Sequence, residues 1–272
     1  MTLVLIHFGE KIPYAEQCVS AIKKVSNIVI HWIAEYPIEG VESFDINKYS
    51  MDDYCAWFNG HNNFLRCSGD LWNYSLQRFY ILYLHCYAHS LESVLHIEND
   101  QVVYYDPLGI GGILKKSDKL LALDLGPKYA SGAIMYFSNI GLLYNMNQEI
   151  NKCLIKGDAW IKKTMNLCEI EVSSEMVILK YLLMNNIIKS LPLFPEDSDE
   201  YGYIFDPASY GQYFGGTPAG HSPGTLFEHH YIGKRIKETN EKLSMIRGKP
   251  YFNDTPIFNL HIHTKKLQDF IQ

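Results

Sequence analysis

The sequence predicts an α/β fold in which a mixed, mostly parallel sheet is flanked by helices. Three observations predict it. Thr2 to Ala34 reads as strand, helix and strand in one short span. Val94-Leu95-His96-Ile97 reads as a short buried strand that leads straight into two carboxylates, Glu98 and Asp100. Ser131 to Asn139 reads as a further strand with small residues at its start, where a ligand or second backbone can come close.

Thr2 to Phe8 is an apolar run that stops at Gly9. Pro13 suits the first helical turn, and Tyr14, Val19, Ile22 and Val25 form one apolar face. Lys23 and Lys24 sit near the helix C-terminus, where cations suit its dipole. Ile28 to Ala34 is the next strand, so the unit is βαβ with a right-handed crossover and parallel strands. No GxGxxG fingerprint follows the first strand, which disfavours a dinucleotide site. His7 and His31 are read as core or strand-end histidines.

Val41 to Ile46 reads as a third short strand, and 49–63 as helix fragments and loop. Ser68-Gly69-Asp70 starts a helix over Leu71 to His89, with Trp72, Leu76, Phe79, Tyr83 and Tyr87 as its buried stripe. Arg78 is the fixed cation of that helix. It can serve a bound diphosphate or a surface salt bridge.

Residues i and i+2 of an extended segment point the same way, so Glu98 and Asp100 can face one site. Two hard oxygen ligands so spaced suit Mg²⁺ or Mn²⁺. In open α/β sheets, ligands bind beyond the carboxyl ends of the strands. The other use of such a pair is a solvated acidic turn.

Asp106 to Gly109 and Gly111-Gly112 read as turns, Leu120 to Leu125 as a strand, and Gln148 to Asn166 as a helix. Ser174 caps another helix, with Glu175 in its first turn. Asp206-Pro207 is a strong helix start, so Asp206 is either a cap or a carboxylate at a strand-to-helix junction. Gly215 to Gly224 holds two prolines and reads as a loop able to close over a ligand. Leu243 to Ile246 precedes a turn at Gly248-Lys249-Pro250. In the run Ile257 to Lys266, Phe258, Leu260 and Ile262 face one side and His261 and His263 the other.

Composition limits the function classes. The 272 residues are 47% hydrophobic and 20% charged, an ordinary globular balance. With a net charge of −6 and no basic block, no nucleic-acid partner is expected. None of the six cysteines makes a CxxC pair, which fits reduced thiols in a cytoplasmic setting. Phe79 to Ala88 is too short to span a bilayer, so the protein is expected to be at most peripheral to membranes.

With these residues in view, the chain resembles metal-dependent glycosyltransferases of the GT-A fold. Glu98-Asn99-Asp100 stands where that family has its DxD motif, with Glu98 in place of the first Asp. Arg78-Phe79 lies on the preceding helix, Ser131 to Asn139 matches a sugar-side strand, and Leu260 to Lys265 matches the segment with the late metal-binding histidine. Phe205 to Gly216 is similar to a stretch of uncharacterised members, some encoded by large viruses; for a viral protein the host cytoplasm is implied.

The resemblance implies a single domain over 1–272, with a nucleotide half of about 1–106 and an acceptor half of about 107–272. It implies Mn²⁺ or Mg²⁺ on Asp100, Glu98 and one of His261 and His263, with His263 favoured for its nearness to Lys265. A nucleotide-sugar of UDP or GDP type would meet Phe8, Gly9, Arg78, Asn99 and Lys265, and the sugar or acceptor would meet Gln212 and Gly216. The acceptor that the resemblance implies is a glycan or other hydroxyl compound. If transfer inverts, Asp206 is the candidate base, with Glu228 behind it. Two alternatives share these features: a metal-dependent nucleotidyltransferase or pyrophosphatase, and a silent sugar-binding module.

Overall fold

The structure is a computed structural model describing residues 1–49, 70–168, 171, 173–216, 235–236, 238–239 and 241–271; side chains are described for these except at 70–73. The 49–63 segment beyond Tyr49, most of the 215–224 loop and Glu228 lie outside the described residues.

The first unit forms as its pattern dictates. β1 (Thr2–Ile6), α1 (Pro13–Val25) and β2 (Val29–Ala34) follow in order, and β1 pairs with β2 in parallel from Thr2↔Val29 to Ile6↔Ile33. Along β1 the side chains alternate. Leu3 and Leu5 join the core layer that holds Cys18 and Ile22 of α1; Val4 and Ile6 enter the opposite layer. A strand buried on both faces reads as a continuous apolar run, and β1 does so.

β3 (Glu42–Asp45) extends the sheet beside β2. The long helix α2 (Asp70–Ala88) then covers the Val4–Ile6 layer with Leu76, Phe79 and Leu82. β4 (Val94–Ile97) returns to the sheet centre, parallel to β1. After β5 (Gln101–Val103) come α3 (Pro107–Leu114), β6 (Leu121–Asp124), β7 (Ala130–Phe137), α4 (Ile140–Lys156), α5 (Asp158–Thr164), α6 (Glu175–Met184) and β8 (Lys189–Ser190). The seven strands lie in the order β3-β2-β1-β4-β7-β6-β8. Only β7 runs against its neighbours, so the sheet is mixed and mostly parallel, as expected.

Three local expectations are corrected. Residues 107–114 form a helix rather than turns: Asp106 caps it through the Leu108 N–H, Pro107 sets its first turn, and Ile110 and Leu114 are buried. That burial outweighs a cost of about 1 kcal/mol for each interior glycine. The helix expected over 148–166 starts at Ile140 and breaks at Gly157, whose φ is +82°. Asp206-Pro207 does not start a helix at once, because Ala208 takes φ +68° and leaves the helical region.

The last elements are β9 (Leu243–Ile246), β10 (Lys249–Phe252), β11 (Thr255–Pro256) and β12 (Asn259–His261). β9 and β10 form a hairpin about Arg247 and Gly248, both at positive φ. β12 pairs antiparallel with β5, setting His261 opposite Gln101. This ribbon brings the end of the chain to the acidic pair.

Candidate metal and nucleotide site

The site begins where β4 ends. Glu98 N–H donates to the Ala133 carbonyl on β7 (2.8 Å), and the chain then turns through Asn99 and Asp100 into β5. From the other side, Ile262 N–H donates to the Asp100 carbonyl (2.9 Å) and fixes β12 against the turn.

Side chains from three parts of the chain converge here. His261 Nε2 lies 2.9 Å from Asp100 Oδ2 and 3.7 Å from Glu98 Oε2. Lys265 Nζ donates to the same Asp100 oxygen, and Arg78 Nη1 on α2 donates to Glu98 Oε1. Burial alone would raise the Asp100 pKa, but His261 and Lys265 hold its carboxyl well below the usual carboxylate range. Burial works against charging of His261, and Asp100 and Glu98 overcome it and raise the imidazole pKa.

The donor set fits a divalent cation. Glu98, Asp100 and His261 each offer a ligand atom, and these atoms lie within 4.8 Å of one another. Asp100 Oδ1 and His261 Nδ1 are buried with no hydrogen-bond partner. Carboxylate oxygens with one imidazole suit Mn²⁺ or Mg²⁺. His261, rather than the favoured His263, is the one that meets the carboxylates; the His263 ring stacks on that of His261 (centroids 4.6 Å, planes 6° apart). β12 ends at His261, so the strand alternation does not continue to residue 263.

A cavity of about 270 Å³ opens beside the carboxylates, and Arg78, Asn99, Lys265 and Phe8 are among its lining residues. Gly9 follows Phe8 at φ +88° and is not among the lining residues. Two further lining residues carry no sequence signal of their role. Tyr74 stacks on Phe8 (4.9 Å, 24°). His7 accepts a hydrogen bond from Asn99 Nδ2 (3.1 Å) and donates from Nε2 to the Glu10 carbonyl (2.8 Å). Burial lowers its pKa, so the neutral ring orients Asn99.

The Asp206 carboxylate is held by backbone donors. It is 0% exposed. Its Oδ1 accepts from Ser209 N (2.6 Å) and Tyr210 N (2.8 Å), and its Oδ2 from Gly211 N (2.8 Å) and His261 N (2.9 Å). Four backbone donors thus occupy the carboxylate. Gly211 permits the contact, since a Cβ there would collide with the His261 carbonyl. Gln212 bonds the Ala208 carbonyl (2.8 Å), and Gly216 accepts from Thr264 N (3.2 Å). Neither is among the residues lining the cavity.

The fold is shared with a solved glycosyltransferase. Mouse xyloside xylosyltransferase 1 in its apo form is similar over 70% of this chain and 83% of that chain, with 8% identity and a TM-score of 0.50. The glycosyltransferase GlyE of Streptococcus pneumoniae TIGR4, also apo, is similar over 82% of this chain but spans more: this chain covers 52% of it, with 14% identity and a TM-score of 0.41. No protein-family model and no curated protein matches the sequence. Among the described residues no helix is long and apolar enough to cross a membrane.

Proposed function

We propose that the protein is a glycosyltransferase that moves a sugar from a nucleoside-diphosphate donor to an acceptor hydroxyl, with Mn²⁺ or Mg²⁺ held by Glu98, Asp100 and His261. One observation carries this reading: the three ligand atoms converge beside a cavity at the carboxyl end of β4, in a fold shared with a glycosyltransferase. When bound, the cation would neutralise the diphosphate as charge develops on the leaving group.

The chain's own residues do the rest. The stacked Phe8–Tyr74 pair and the Asn99 amide held by His7 offer an aromatic surface and a polar edge to the nucleoside. Lys265 sits where its ammonium can pass from Asp100 to a phosphate oxygen. Asp206 keeps His261 in register by accepting its backbone N–H.

A thermal-shift screen of nucleoside diphosphates and nucleotide-sugars, with and without Mn²⁺, tests the reading. One donor class should raise Tm in the presence of the metal only. A protein stabilised by none of them, or equally without metal, defeats it. Release of a nucleoside diphosphate, rather than a sugar phosphate, separates transfer from pyrophosphate cleavage.

A further inference from the structure

Glu175 opens α6, and an acidic residue in the first turn of an apolar helix ordinarily serves the helix dipole. In the fold this side chain is 5% exposed, and its Oε2 has no hydrogen-bond partner. α6 packs on β7 and touches α2, which brings the carboxyl into the field of Arg78 and Glu98. Burial pushes its pKa up to about 7, with Arg78 acting downwards and Glu98 upwards.

Arg78 is itself 7% exposed. Its Nη1 bonds Glu98, but its Nε is buried without a partner. The guanidinium thus has one carboxylate in hand, and a second, whose Oε2 is unsatisfied, is buried on the helix packed against α2. A guanidinium cannot shed its proton, so it stays buried only with a compensating anion. His96 Nε2 is also unpartnered, but burial and Arg78 hold that ring neutral while it donates to the Val4 carbonyl. It can accept a hydrogen bond without balancing the charge.

We propose that Arg78 alternates between Glu98 and Glu175, and that Glu175 is the positioning residue that draws the guanidinium away when a divalent cation takes Glu98. This rests on the assignment of Glu98, Asp100 and His261 as the cation site. A cation on Glu98 removes the partner of Arg78 and repels its charge in one event. Glu175 gives the guanidinium a buried acceptor of the right sign. Without it, Arg78 holds Glu98 and competes with the ion.

Mn²⁺ titration calorimetry on the wild type, Glu175→Gln, Arg78→Met and the double variant tests this, with circular dichroism to confirm folding. Glu175→Gln should weaken Mn²⁺ binding about tenfold, and the same change should have no effect in the Arg78→Met background. Glu175→Asp, which keeps the charge, should restore most of the affinity. Unchanged affinity in Glu175→Gln, or the same loss with Arg78 already removed, overturns the alternation while leaving the cation site in place. A wild type that takes up no Mn²⁺ overturns both. Should Glu175→Gln fail to fold, Glu175→Asp and the wild type decide: the shorter carboxylate must bind Mn²⁺ within about threefold of the wild type, and a larger loss defeats the proposal.

Discussion

His261 Nε2 lies 2.9 Å from Asp100 Oδ2, although 161 residues separate the two in the chain. The β5–β12 ribbon makes the contact, and Asp206 holds the ribbon by the His261 N–H. His261→Ala should therefore lower Mn²⁺ affinity at least about tenfold, while His263→Ala should change it less than about threefold. Calorimetry on the two variants checks this, and the opposite ranking would remove His261 from the ligand set.

Asp100→Asn should abolish metal-dependent nucleotide binding. It should also cost about 1–3 kcal/mol of stability, because Asp100 is 4% exposed and the change leaves His261 and Lys265 facing a neutral amide. A strand-end carboxylate is expected outside the core; here β12 and Lys265 cover it. Denaturant unfolding beside a Mn²⁺ titration measures both effects. Intact metal-dependent binding would count against the site.

Asp206→Asn distinguishes a brace from a base. An amide keeps one acceptor oxygen and turns donors toward backbone N–H groups, so about 3–5 kcal/mol of stability should be lost. A base exposed to substrate would instead lose turnover at constant Tm. Thermal melting alone decides between them, and an unchanged Tm would return Asp206 to the acceptor side.

The sheet was legible because β1, β2 and β4 are short apolar runs and α1 carries a single apolar face, signals that local pattern alone can produce. The acidic pair was legible as charge placed directly after such a run. The choice between His261 and His263 was not, since it depends on where a three-residue strand stops. The backbone after Asp206 was not legible either, because Asp-Pro normally opens a helix, and only the positive φ of Ala208 diverts it. Glu175 gave no sign of its burial, which comes from α6 packing on β7 and α2.

A second cluster sets an acid limit on stability. His85 of α2 shares hydrogen bonds of 2.8 Å with His31 of β2 and with the Tyr49 hydroxyl, while His89 and Phe44 pack against its ring and Glu42 faces His31. Burial, with His31 and His89, lowers the His85 pKa to about 3; burial also lowers that of His31, against the pull of Glu42. Both rings are neutral in the fold, and the unfolded chain binds their protons near 6.5. Their contribution is complete above that pH and is lost as pH falls towards the folded pKa. Tm should drop between about pH 6.5 and about pH 4, and His85→Gln should flatten that slope. Parallel slopes in the two proteins would clear His85 of the effect.

The β5–β12 ribbon makes the site a property of chain closure. Joining points 161 residues apart costs a flexible chain about 4.5 kcal/mol beyond a constant term. An ion gripped by Asp100 and His261 together would act as a reversible cross-link over that span, and its binding energy would appear as resistance of the terminal strand to peeling. Amide hydrogens of residues 259–262 would then report the occupancy of the site from the backbone, without any substrate present.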